Sequence, residues 1–311
     1  MYPQQYQRIT TANVRAMMLL ALETGPAAWV TQLAMQTTSD QASENYAWLS
    51  APPALHEFIG NRQLSQLKEN SFSISNKDYE SNLRFKSKDM RRDKLGMIQT
   101  RVNQLSERVN DLPAKLLSSL ILNGASSLCY DGQYFFDTDH AENNSGTQSN
   151  SITSDVATTT APTADEMSTA IVAAIQQMYG FKDDQGEPIN QGAATFGVMV
   201  PVPFMGATLQ ARAQLLGAGG ATAQLAALKG VFDIVPVINP RLNWTTKFAT
   251  FRIDGAIKPF VLQEDPGGRD VVAIGDGSEY EQLNKEQIFG VDWAGNVGYG
   301  YWQGAVLTTL T

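Results

Sequence analysis

Residues 129–140 read CYDGQYFFDTDH and hold the only cysteine of the chain, one of its two histidines, three aspartates and four aromatics. Asp137, Asp139 and His140 carry the donor types that bind a divalent cation or move a proton. A metal-dependent hydrolase built on them is one reading. A competent cation site needs at least three such groups converging, and on an extended segment Asp137 and Asp139 point to opposite faces. The second histidine, His56, stands elsewhere, among Leu55, Phe58 and Ile59. The other reading is architectural. Aspartates accept backbone N–H groups at turns and helix starts, and Asp131-Gly132 supplies the positive φ of a tight turn. On that reading Asp131 and Gly132 make a hairpin turn and Asp137 and Asp139 cap turns or helix starts beside His140. Cys129 reads as a small buried apolar group.

Other candidate chemistry is thinner. The glycines at 217, 219 and 220 lack the Lys-Ser/Thr of a phosphate-binding loop. Gly275-Asp276-Gly277 reads as a turn. No serine sits in Gly-x-Ser-x-Gly, and two histidines leave little room for a triad. Arg91, Arg92 and Lys94 stand beside Asp89 and Asp93, the pattern of a solvated helix start rather than a nucleic-acid contact. No cofactor and no metal are expected.

Bulk composition is ordinary for a globular protein, and the low charged fraction suits a protein that buries much of its surface against partners. The chain has 311 residues, 43% hydrophobic and 17% charged, with a net charge of −8. That acidic balance argues against broad binding to phosphate backbones, which needs clustered Lys and Arg. One cysteine excludes an intramolecular disulfide and a Cys-rich zinc site. Residues 1–8 are polar, so no signal peptide is expected, and no apolar run approaches the ~20 residues of a membrane span.

The elements that would position residues 129–140 follow from periodicity. Residues 1–55 read as an arm with a short helix through Val14, Met17, Met18, Ala21 and Leu22, stopped at Gly25-Pro26. Over 71–86, Phe72 and Ile74 alternate with serines, and Tyr79, Leu83 and Phe85 continue in steps of four and two. With Asn76-Lys77-Asp78 as a turn, this predicts a β-hairpin. A two-stranded ribbon is marginal alone, so it must lie on its own domain or on a neighbour. Leu95, Ile98, Val102, Leu105, Val109, Leu112 and Leu116 then stripe a long helix. Pro113 either kinks it or opens a second helix capped by Asn110 or Asp111. Asn123-Gly124 ends it.

Residues 141–162, rich in Ser, Thr and Asn, read as a loop or domain crossing. Thr163-Ala164-Asp165-Glu166 is a capping box opening a helix with Met167, Ala170, Ile171, Ala174, Ile175 and Met178 on one face. Residues 194–200, 231–238, 247–253 and 256–262 read as strands, and Pro203 can open a helix. This alternation predicts an inserted α/β or α+β domain. Residues 289–311 predict long twisted strands with a turn at Ala294-Gly295-Asn296.

This order of arm, hairpin, long helix, insertion and return strands resembles the major capsid proteins of tailed bacteriophages, and within them the Mu-like phage major head subunit. The resemblance is carried by Glu44-Asn45-Tyr46-Ala47-Trp48-Leu49, His56-Glu57-Phe58-Ile59-Gly60 with Arg62, Asn76-Lys77 with Tyr79-Glu80, Leu95-Gly96-Met97, residues 129–140 and residues 289–303. It implies an α+β fold of the Hong Kong 97 type and a shell protein without catalysis. The implied divisions are an N-terminal arm at 1–55 and an extended loop at 56–90. A peripheral domain would comprise 91–150 and 256–311 with a spine helix at about 91–122, and an axial domain 151–255.

The resemblance further implies pentamers and hexamers of this chain forming an icosahedral shell around weakly held double-stranded DNA. A separate scaffold, a protease and a portal would be partners, no membrane would be involved, and assembly would occur in the bacterial host cytoplasm. The arm begins within a few residues of Met1, so no large propeptide is expected. Tyr46, Trp48, Phe72, Ile74, Lys77, Tyr79, Leu83 and Phe85 are the expected subunit interface. An encapsulin-like compartment with a protein cargo is the alternative on the same fold.

Overall fold

A computed structural model of the chain describes residues 11–23, 25–46, 72–92, 96–216 and 231–311. Its first part contains α1 (Thr11–Leu22), α2 (Ala28–Leu33), β1 (Ala34–Thr38), β2 (Ser43–Tyr46), β3 (Phe72–Ser75), β4 (Lys77–Lys86), α3 (Ser87–Arg92), α4 (Met97–Asn110) and α5 (Leu112–Leu122). The middle holds β5 (Ser151–Ser154), α6 (Ala164–Tyr179), β6 (Thr195–Val200), α7 (Met205–Leu216), β7 (Asp233–Ile238) and β8 (Lys247–Arg252). The return segment holds β9 (Phe260–Ile274), α8 (Glu279–Asn284), β10 (Glu286–Tyr299) and β11 (Ala305–Leu310).

Two sheets organise these elements. A four-stranded sheet runs β1-β9-β10-β4, and a five-stranded sheet runs β5-β11-β8-β6-β7. The apolar stripe read along the long helix packs on α1 and on the first sheet: Ile98, Val102, Leu105 and Val109 of α4 and Leu117 and Ile121 of α5 are buried. The helix is divided at Asp111. Pro113 lies in the first turn of α5, where its missing N–H costs little. Neither predicted cap forms, because Asp111 keeps a right-handed helical backbone and makes no side-chain cap bond. The capping box does form. Thr163 Oγ1 accepts from Glu166 N at 3.3 Å, and Glu166 Oε2 accepts from Thr163 N at 2.8 Å. All six stripe residues of α6 are buried.

Four expectations change. The first concerns the ribbon at 72–86. β3 does not pair with β4; it pairs antiparallel with β2, Tyr46 opposite Phe72 and Ser43 opposite Ser75. β4 pairs over ten residues with β10. The only residue between β3 and β4 is Asn76, and a tight hairpin needs two. Asn76 also donates through Nδ2 to Gln41 O at 2.8 Å, tying the junction to the segment before β2. The chain therefore passes on to a new partner instead of folding back.

The second concerns the arm. β1 joins the four-stranded sheet as a parallel partner of β9, Ala34 opposite Phe260. Val14 and Met18 of α1 are fully buried, and Asn110 Nδ2 donates to Ala21 O at 2.9 Å. Residues 11–38 thus cover an edge of β9 that would otherwise leave its backbone groups unpaired. The third concerns 294–296, which is no turn. β10 runs through it, and the ladder to β9 slips by a bulge between Trp293 and Gly295. A Cβ at Gly295 would collide with Gln263 O and the Trp293 ring, so glycine serves a close approach inside a strand. The fourth concerns the last strand. β11 pairs with β5 and β8, placing residues 305–310 in the same sheet as β6 and β7 rather than beside β9 and β10.

Candidate functional site

Residues 129–140 lie where the two sheets meet. The Asp-Gly turn forms as expected. Gly132 has φ +85°, Cys129 N donates to Gln133 O at 2.7 Å, and Asp131 Oδ1 accepts from Gln133 N at 3.1 Å. Phe135 is fully buried and stacks on Tyr299 with centroids 4.7 Å apart, and Phe136 packs on Gly124 too closely for any Cβ there. The helix stop at Asn123-Gly124 is therefore also a packing surface.

The polar residues of the segment act as structure. Asp137 accepts backbone N–H groups on both oxygens, from Tyr134 at 3.1 Å and from Thr138 at 2.8 Å. Asn150 closes the crossing. Its Oδ1 accepts from Asp137 N at 2.8 Å and its Nδ2 donates to Phe135 O at 2.7 Å. Asp139 is exposed. Among the described residues, no three His, Cys, Asp or Glu side chains converge as a cation site.

His140 is fully buried. Its Nδ1 lies 2.6 Å from Asp131 Oδ2, and its ring stacks on Trp302 at 4.0 Å and 8°. Trp302 meets Phe181 edge-on at 5.2 Å, which carries the contact into the loop after α6. A second chain of hydrogen bonds runs alongside. Tyr130 OH donates to Glu142 Oε1, and Gln303 Nε2 donates to Tyr130 OH at 3.0 Å and to Glu142 Oε1 at 3.1 Å. Asn190 Nδ2 then donates to Gln303 O at 2.8 Å, Arg252 Nη1 to Asn190 Oδ1 at 3.2 Å, and Arg252 pairs with Asp254 at 2.8 Å. This junction joins the segment after α5, the loop before β6 and the end of β8.

Its electrostatics favour neutral forms. Burial raises the Glu142 carboxyl above its ordinary 4.5, with Asp131 adding to the rise, while the Tyr130 hydrogen bond opposes it. Burial first, then the Asp131 carboxylate, pushes the Cys129 thiol well up, which removes the thiolate a nucleophile would need. Burial and Glu142 likewise hold Tyr130 protonated. Sequence reasoning missed Glu142, Asn150, Asn190 and Trp302 as partners. Each stands in a stretch without periodicity, and only spatial proximity pairs them.

The expected interface residues divide. Tyr46 and Ile74 are buried inside the same chain, correcting their assignment to a neighbour. Tyr46 OH donates to Gln263 Oε1 at 2.6 Å, and Ile74 packs on Gly298, where a Cβ would collide with it. Tyr79, Leu83 and Phe85 are half-buried on β4, Tyr79 facing Trp293 at 5.5 Å and Phe85 facing Phe289 at 6.2 Å. Phe72 is half-buried and Lys77 exposed. Trp48, His56 and residues 56–71 of the expected loop lie outside the described residues, as do the glycines at 217–220.

A two-sheet α+β subunit with a divided spine helix and an inserted five-stranded unit is the Hong Kong 97-type capsid fold. The chain matches a subunit of the procapsid of bacteriophage JBD30 with a TM-score of 0.54 at 21% identity, covering 95% of this chain and 72% of that one. Residues 10–164 match the family model of the Mu-like prophage major head subunit gpT, and over this stretch, about half its length, the chain belongs to that family. It is 34% identical over 110 residues to the major head subunit of the Mu-like prophage FluMu of Haemophilus influenzae, which is 35% of this chain and 36% of that protein. It is 31% identical over 139 residues to the major capsid protein of Escherichia phage Mu, 42% of this chain and 45% of that one. The chain thus spans less than half the length of either relative.

Proposed function

We propose that this chain is the major capsid protein of a tailed bacteriophage head, assembling with copies of itself as pentamers and hexamers into an icosahedral shell around double-stranded DNA. The observation that carries the reading is a capsid-subunit fold in which the most chemistry-like segment, 129–140, is spent on a closed structural junction. Asp137 caps a turn, His140 is stacked under Trp302, and the Cys129 thiol is held protonated. On this reading the protein acts by assembly.

Its other partners are a separate scaffold, a protease and a portal, and shells form in the host cytoplasm. The net charge of −8 supports weak contact with packaged DNA, which leaves DNA free to move during filling and ejection. The outward side of β3 and β4 reaches a neighbour, and β5 to β8 with β11 belong to the axial domain. Among the described residues, the side chains that meet the neighbour are Lys77 and the outward parts of Phe72, Tyr79, Leu83 and Phe85. A standard interface buries ~1,600 Å² in total, and several such contacts per subunit make a shell stable collectively. Negative-stain microscopy of the protein expressed with its neighbouring genes tests the reading. Uniform icosahedral particles are expected; a persistent small oligomer overturns it. Nuclease-protected DNA within filled particles separates this reading from a compartment with a protein cargo.

A further inference from the structure

We propose that β4 pairs antiparallel with β4 of a second copy of this chain, across a two-fold axis that passes through Asn82. The inference rests on the shell-subunit reading above and assigns one contact of that shell. β4 is the last strand of its sheet and has no strand partner on its outer side among the described residues. An edge strand presents a row of unpaired N–H and C=O groups that can template another strand, and such edges are usually blunted by shortness, proline or a bulge. β4 has none of these. It is ten residues long, lacks proline, and its ladder to β10 runs without a slip from Lys77 to Lys86.

The residues of the strand select both partner and register. Asp78 and Glu80 stand four and two residues before Asn82, and Arg84 and Lys86 stand two and four after it. Antiparallel pairing about Asn82 therefore sets Glu80 opposite Arg84 of the second copy and Asp78 opposite Lys86 of the second copy, each twice by symmetry. A parallel pair in register would set like charge on like, which destabilises a sheet. All four side chains are exposed. Asp78, Glu80 and Lys86 have no ion pair among the described residues, and Arg84, 3.4 Å from Glu286, stays 66% exposed and open to a second carboxylate. The alternate face matches as well. Tyr79 falls opposite Phe85 of the second copy, and both are half-buried rings that already pack on Trp293 and Phe289 within their own sheet. Pairing carries that aromatic row across the axis, where directly opposite side chains touch. The contact is isologous, the same patch serving on both copies.

Cysteines placed on the full chain read the register. The axis sets residue 82 of the two copies directly opposite, with Cα atoms about 4.5–5.5 Å apart, which a disulfide spans. Asn82→Cys is expected to give disulfide-linked dimers on mild oxidation of assembled material. Glu80→Cys or Arg84→Cys alone leaves the two cysteines about 13 Å apart along the strand and should link roughly tenfold less or worse. Copies of these two variants, co-expressed, should link to each other. The parent chain, whose Cys129 is buried, gives the background. Charge reversal is an independent readout. Glu80→Arg and Arg84→Glu each set like charges opposite and should lower the yield of sedimenting particles, while the two variants co-assembled restore opposite charges and recover it. Melting curves of dissociated subunits separate this loss from misfolding. Glu80→Cys linking as readily as Asn82→Cys, or co-assembly no better than either reversal alone, overturns the pairing. Particles that form without a link at residue 82 overturn the contact and leave the shell reading intact; protection of the β4 edge from hydrogen exchange in those particles would assign it to another segment. Links at residue 82 without particles keep the contact and overturn the shell reading, and neither links nor particles overturns both.

Discussion

The junction around Trp302 and the sheet edge at β4 spend their polar residues in opposite ways. At the junction, Tyr130, Asp131, Glu142, Asn150, Asn190 and Gln303 find partners within the chain, and the titratable groups sit deep under aromatic rings. At the sheet edge, β4 has no strand partner on one side among the described residues, and Asp292 of β10 stands opposite Glu80 and Asp270. β2 and β3 form a two-stranded ribbon of four residues each, too short to be stable alone. On the proposed reading, a subunit closes the junction between its sheets and leaves an edge for a neighbour to complete.

The comparison is broken most strongly at Trp302. Trp302→Ala removes a fully buried ring that supports both His140 and Phe181, and is expected to cost about 3–5 kcal/mol, seen as a large fall in melting temperature or loss of soluble protein. Next comes Gly298→Ala, which drives a Cβ into Ile74 where β10 meets the ribbon. Overpacking of that kind costs about 1–3 kcal/mol, and because only the ribbon can yield, shell yield should fall more than subunit stability. Asp137→Ala strands the N–H groups of Tyr134 and Thr138 and is expected to cost about 1–2 kcal/mol by chemical denaturation, with assembly impaired in proportion.

Glu142 sharpens the comparison through pH. Its folded carboxyl titrates above the ordinary 4.5, so the stability it contributes is fully present below that value and is lost as pH rises through the raised value. Glu142→Gln removes this titration. Melting curves across pH should therefore show the variant gaining on the wild type as pH rises from the carboxylate range toward neutrality, and the two converging in acid. The smallest effect is at the open edge. Lys77→Ala should change subunit stability by less than about 0.5 kcal/mol in denaturant titrations, since the side chain is exposed and makes no ion pair among the described residues.

Local rules written into the chain were legible. The capping box at Thr163, the stripe of α6, the Asp-Gly turn and the cap role of Asp137 all follow from contacts within a few residues. Strand partners were not, because pairing is decided by residues far apart in sequence. Phe72 and Tyr79 carry the same alternation whether β3 and β4 face each other or, as here, face β2 and β10. Gly295 shows the same gap: glycine beside Asn296 signals a turn locally, yet the carbonyl of Gln263 makes it a bulge. The junction was half legible. Asp131 and His140 stood out by type, while Glu142, Asn190 and Gln303 acquire their role only when the two sheets bring them together.

Hydrogen exchange on dissociated subunits and on assembled particles tests the central claim most directly. The backbone N–H groups of 43–46 and 72–86 should gain protection on assembly, while those of 129–142, already closed within the chain, should change little. Equal protection of the β4 edge in both states, or a gain confined to 129–142, would contradict the account.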